Sequence, residues 1–315
     1  MYATRGTDWE QVGLVLRGAH VGWCIAVIAL SVSCHVLRAE RWRVLLRPVA
    51  RVPRWPTIAA TFIGFGANAV LPLRIGELVR PAFLARRVGI PLSPTISTIV
   101  IERILDTLLV LSCLLLVTLA YDVPDYLRYP ALLLGVVMVG GLAALVWAQR
   151  HPAVAERIVR RVLARLPARV REPVWSVVDG LLRGLGALAD LRIVAIVLAA
   201  SVLLWTMITL TYTLSFLALD VPIPYFAGSL VTVVIVGASV FLPQGPGFIG
   251  TWQAGCLLAL EVIFKVPHDV ALGFALLTWV FQMTANVGSA LVAILVEGVS
   301  FHELAAESRG EVSRA

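Results

Sequence analysis

A chain of 315 residues that is 59% hydrophobic and only 14% charged, with a mean hydropathy of +0.90, lies outside the composition of soluble domains and reads as an integral membrane protein. The net charge of +7 is almost wholly arginine, with Lys265 the one lysine. That bias says less than the placement of the arginines, and no nucleic-acid partner is expected. Cys24, Cys34, Cys113 and Cys256 fall singly inside apolar segments, a pattern of buried small residues rather than of disulfides or a metal site.

The first apolar run, Val21 to Leu37, begins about twenty residues in, lacks a small-residue cleavage site and ends in Arg38-Ala39-Glu40-Arg41, so it is expected to be retained as a span. Further runs of spanning length lie at Ile96 to Ala120, Pro130 to Ala148, Ile193 to Leu219 and Val270 to Val296. Arginines crowd at Arg38 to Arg54, at Arg80, Arg86 and Arg87, and from Arg150 to Arg192, which places those segments on the cytoplasmic side. Tyr121 to Tyr126 and Asp220 to Pro224 carry no basic residue and should face outward.

Thr57 to Leu84 then starts and ends on the cytoplasmic side. Its first arm, Thr57 to Leu71, reaches roughly 22 Å as a helix, short of the roughly 30 Å hydrocarbon core. A re-entrant hairpin turning at Leu71-Pro72 fits both facts. The same logic puts a second hairpin, Tyr225 to Phe264, in from the outside, turning at Pro243 to Gly247. Both breaks read Leu-Pro-x-x-x-Gly. The expected fold is an all-α polytopic membrane protein with two re-entrant, broken helical hairpins in an inverted-topology repeat. The first repeat covers 1–120 (span, hairpin 57–84, span 96–120) and a connecting span lies in 121–149. A basic amphipathic cytoplasmic linker follows at 150–191. The second repeat covers 192–297 (span, hairpin 225–264, span 270–296), and 298–315 form a cytoplasmic tail.

In the linker, Val154, Ile158, Val162 and Leu166 recur on one helical face and Arg157, Arg160, Arg161 and Arg165 on the other. A helix lying on an anionic leaflet and a solvated connector both satisfy that pattern.

Charged residues bracket the first break: Asn68, Arg74, Glu77 and Arg80 around it, and Glu102, Arg103 and Asp106 early in the following span. An ionisable group at mid-bilayer costs about 2.5 to 3.5 kcal/mol on insertion scales, so these must pair, face a wet cavity or sit at the interface. Glu102 and Asp106 share a helix face that can meet Arg74 or Arg80. Arg74, beside the N-terminus of the restarting helix, suits bidentate contact with a lipid phosphate. A structural salt-bridge network is the alternative. In the second half the candidates are Pro243, Gly245, Gly247, Gly250 and Gln253 at the break, where the glycines permit close approach to backbone. Gln282 and Asn286 make a neutral pair four apart, readable also as polar glue between helices. The chain carries no Walker A loop, His-Glu-x-x-His site or Gly-x-Ser-x-Gly elbow; no cofactor, metal or catalytic residue is expected.

Arg41-Trp42-x-x-Leu45-Leu46, Gly66-x-Asn68-x-x-Leu71-Pro72-x-Arg74-x-Gly76-Glu77-x-x-Arg80, Glu102-Arg103-x-x-Asp106 and Leu242-Pro243-x-Gly245-x-Gly247-x-x-Gly250, in that order, resemble the lysylphosphatidylglycerol synthase transmembrane region, a flippase-like family. The resemblance runs from about Arg38 to Glu297. It implies a multi-pass protein of the bacterial inner membrane that moves a lipid between leaflets, with Asn68, Arg74, Glu77, Arg80, Glu102, Arg103, Asp106 and the Gly245 to Gly250 turn lining the lipid path. No aminoacyl-transferase domain follows Glu297, so synthesis of a lysyl-lipid is not expected, and the amino end looks one span shorter than in family members. The leading expectation is therefore a flippase-like transporter of a phospholipid or polyprenyl-phosphate-type lipid, for which Glu102→Gln or Arg74→Ala should abolish transport with folding retained. The alternatives are a membrane-embedded lipid-modifying transferase, or a non-transporting scaffold for a partner lipid-modifying enzyme. A homodimer is compatible with each.

Overall fold

The computed structural model describes residues 8–120, 125–164, 167, 175, 190–239 and 245–298, and every regular element among them is helical. The chain opens with α1 (Trp9–Arg17), capped by the Asp8 carboxylate, which accepts the amide N–H of Glu10 and Gln11. Hydropathy does not reveal this helix. The cap residue followed by an acidic first turn does.

Helix α2 (Val21–Leu45) runs well past Leu37, where a loop was expected. Arg41 is 1% exposed and Trp42 fully buried. Partners inside the bundle satisfy this charged stretch, so it stays helical and interior instead of leaving for water. The broken hairpin follows: α3 (Arg54–Val70), one 3₁₀ turn (Pro72–Arg74) and α4 (Gly76–Val88). Leu71 is extended at φ −93, ψ 145 because the residue before proline is pushed out of the helical region. The arms lie so close that a Cβ on Gly76 would stand 2.0 Å from the Gly64 carbonyl oxygen. Gly89, left-handed at φ 72, ends α4.

The next helices are α5 (Leu92–Ala120) and α6 (Asp125–Arg150), of 29 and 26 residues, each about 40 Å long and able to cross a bilayer. Then come α7 (Pro152–Leu163) and α8 (Leu191–Ala218). The apolar residues Val154, Ile158 and Val162 of α7 are exposed. The second break separates α9 (Tyr225–Ser239) from α10 (Thr251–Leu257, continued as π-helix over Leu258–Ile263), and α11 (His268–Glu297) ends at Gly298. Among the described residues, four helical stretches are long and apolar enough to cross a membrane by length and composition: Val21–Leu45, Arg192–Ala218, Pro246–Ile263 and His268–Glu297. The protein is an all-α polytopic membrane protein.

Packing centres on α2 lying along α8 and on α3 lying along both α11 and its hairpin partner α4. The 3₁₀ turns of the two breaks touch each other. A Cβ on Gly247 would come 3.2 Å from the Ala69 carbonyl oxygen. One apolar core surrounds Trp42, Leu45, Phe62 and Leu84, and another surrounds Phe216 and Phe274, stacked at 4.3 Å between centroids.

Candidate functional site

The buried charges of the first half form one network. Arg41 grips Asp106 with both terminal nitrogens, at 2.5 and 3.0 Å, and also donates to the Ser201 hydroxyl of α8 at 2.8 Å. Glu102 Oε1 collects three guanidiniums: Arg103 at 2.9 Å, Arg80 at 3.0 Å and Arg41 at 3.3 Å. Arg38 and Arg103 each reach Asp106 Oδ2 at 3.3 Å. At the break, Glu77 Oε1 lies 3.4 Å from Arg74 and 3.8 Å from Arg103. Five guanidiniums thus surround three carboxylates, an excess of positive charge in a low-dielectric interior. Buried ions are tolerated only when paired, and here the guanidiniums outnumber the carboxylates that pair them.

Between the halves lies a cavity of about 200 Å3, walled by α2, α3, α5, α8, α9, α10, α11 and both breaks. Its chemistry changes along the helices. On α2 the wall passes from Arg38 and His35 to Ser31 and Val27, and on α5 from Arg103 and Asp106 to Thr107 and Val110. Arg74, Gln282 and Asn286 complete the polar part, while Trp205, Tyr212, Val233 and Trp252 furnish the apolar part. Two donors in or beside the polar part, Arg38 Nε and Arg103 Nε, are buried without a hydrogen-bond partner among the described residues, as is His35 Nδ1, which donates or accepts according to the tautomer. Such groups cost about 1 to 3 kcal/mol each when left unmade, and they surround the place where an anion would satisfy them.

The fourteen residues singled out from sequence divide. Arg74, Arg103, Asp106, Gln282 and Asn286 line the cavity. Glu77, Glu102 and Arg80 stand behind that wall. Arg80 pairs with Glu102 and lays its guanidinium over the Trp42 ring at 4.0 Å, so it braces the site instead of facing a ligand. Asn68 is buried against Gly76, its Oδ1 2.6 Å from where a Gly76 Cβ would be. Gly247, left-handed at φ 64, abuts α3, and its carbonyl accepts Trp279 Nε1–H at 2.7 Å. Gln253 accepts the Gly250 amide at 2.8 Å and caps α10. Gly245 is exposed, and Pro243 lies outside the described residues.

His35, Arg38 and Phe65 were not among those candidates. His35 stacks on Phe65 at 4.6 Å, and Arg38 lies over the same ring at 5.3 Å. The available signal was Arg38 and Arg41 recurring three apart ahead of Trp42, Val44, Leu45 and Leu46, charges inside an apolar helix instead of after one.

Fold and site together define a multi-pass α-helical membrane protein built around an internal, basic and partly apolar chamber. The chain belongs to the family described as Lysylphosphatidylglycerol synthase TM region, which matches residues 1–288. It is also 26% identical to Glycosyltransferase AglD of Haloferax volcanii over 341 aligned positions, covering 96% of this chain and 53% of that protein. The chain therefore spans about half the length of that relative. No solved structure matches it. Both matches point to a membrane protein concerned with lipids.

Proposed function

We propose that the protein is a flippase-like transporter that carries a phosphate-bearing lipid headgroup across the bacterial inner membrane through the central cavity, leaving the acyl chains in the bilayer. The observation that carries this reading is the cationic excess at the cavity's polar end, where Arg38, Arg74 and Arg103 share a wall with a single carboxylate, Asp106. Guanidiniums match phosphate oxygens in charge and geometry, and backbone that leaves helical form at membrane depth is tolerated where it lines a cavity. In this reading the broken hairpins are re-entrant, the halves form an inverted repeat, and the touching breaks separate the two leaflets.

The test is leaflet exchange in proteoliposomes carrying fluorescent phospholipids and a short polyprenyl phosphate. Arg74→Ala is the informative variant, because Arg74 is half-buried on the cavity wall and its ion pair among the described residues is with Glu77 alone. Exchange should fall about tenfold, the worth of one charge-assisted contact. Exchange unchanged in Arg74→Ala, with the protein folded, overturns the proposal. A second reading follows from the similarity to a protein named as a glycosyltransferase: the chain presents a lipid-linked substrate to a transferase without moving it. That reading predicts lipid binding sensitive to Arg74→Ala in the absence of any exchange.

A further inference from the structure

A second concave site lies where α2 ends and α8 begins. Arg43, Arg47, Pro48, Arg51 and Val52 form one side, and Asp190, Arg192 and Ile193 the other, around an open volume of about 720 Å3. Four guanidiniums face one carboxylate. Glu40 engages Arg43 at 2.6 Å, and Asp190 is occupied in capping α8, accepting the Arg192 amide at 2.8 Å. Arg47, Arg51 and Arg192 have no ion pair among the described residues and are exposed. The 28-residue helix α8 starts inside this concavity, so the positive end of its dipole adds to the guanidiniums. Pro48, Val52 and Ile193 supply an apolar floor, which a purely solvated charge cluster would not need.

We infer that this is a second anion-binding site, distinct from the central cavity, that takes a phosphate-bearing group at the cytoplasmic end of α2. Its ligand is a phosphomonoester, diphosphate or phosphodiester, held by the forked donors of Arg47, Arg51 and Arg192 with its apolar neighbour atoms on the floor. The side follows from the arginine distribution. Helix α2 connects the two sites: Arg43, on the wall of this concavity, and Arg38, on the central polar wall, are five residues apart, about 7.5 Å along the axis. Positive potential at the surface also raises the local concentration of anionic lipid. The binding claim does not depend on transport, since it is read with no exchange step.

The experiment compares the full chain, R47Q/R51Q and the exposed control R157Q/R161Q on α7. Two probes distinguish the source of the phosphate: retention of phosphatidylglycerol against phosphatidylcholine by mass spectrometry of the intact protein, and calorimetric titration of the detergent-solubilised protein with inorganic pyrophosphate. The expected result is that R47Q/R51Q weakens at least one probe about tenfold and the control leaves it unchanged. Loss confined to phosphatidylglycerol identifies a lipid headgroup, and loss confined to pyrophosphate a soluble phosphate. If the parent binds neither, or if both double variants lose binding equally, the site is overturned. Arg47 and Arg51 are exposed, so the double variant should fold, and a circular-dichroism melt confirms it.

Discussion

The two helix breaks pose the same backbone problem and solve it with different chemistry. At the first, Arg74 sits in the left-handed region at φ 56, the arms close on the Gly64/Gly76 contact, and an ionic network of five arginines and three carboxylates stands behind the turn. At the second, Gly247, Phe248 and Gly250 all have positive φ, and neutral donors cover the described part of the turn: Trp279 to the Gly247 carbonyl and the Gly250 amide to Gln253. Among the described residues of the second break the covering hydrogen bonds are neutral, whereas charge backs the first, and under the proposed function that charge serves a ligand.

The most severe way to break this comparison is to remove a network anchor. Glu102 is fully buried and accepts from three arginines, so Glu102→Gln strands buried cations and should cost about 3 to 5 kcal/mol, read as a lowered melting temperature in detergent. The sequence alone suggested that this variant would lose transport and keep its fold. The geometry makes it a stability variant and leaves Arg74→Ala as the cleaner probe of the site.

Gly76→Ala comes next. Its Cβ would stand 2.0 Å from a carbonyl oxygen of the other arm, with no side-chain end to swing aside, so overpacking of about 1 to 3 kcal/mol is expected. A melt unchanged by this substitution would show that the arms are not held that close. Arg74→Gly moves in the opposite direction. Left-handed backbone costs a non-glycine residue about 1 to 2 kcal/mol, so glycine should match or raise the melting temperature while exchange falls as in Arg74→Ala. A parallel loss of stability would show that Arg74 serves the fold, as the second break's side chains do.

How much of this was legible beforehand follows the same divide. The breaks, the helices around them and the meeting of the Glu102 face with an arginine of the first break, Arg74 or Arg80, could be read because proline, glycine and buried charge leave local marks. The role of Arg38 and Arg41 could not, because a basic cluster after an apolar run has the same appearance whether it meets water or two carboxylates, Glu102 and Asp106, from another helix. Only the tertiary approach of α5 separates the two cases. Likewise Arg74 and Arg80 looked equivalent as phosphate ligands, but the Trp42 ring, thirty-eight positions away in sequence, captures Arg80 and leaves Arg74 on the wall.

The smallest expected stability effect tests the neutral half. Gln282 lines the cavity but spends its amide on Asn286 Oδ1, one turn along the same helix, at 2.9 Å. Polar contacts of this kind within membranes average about 0.6 kcal/mol, so Gln282→Ala should barely move the melt. Its effect on exchange decides what the second half does. Exchange that falls while stability holds places a headgroup against both halves at once, as a chamber shared by two breaks requires. Exchange that holds too restricts ligand reading to the arginine wall and leaves α11 as a neutral surface past which the headgroup slides.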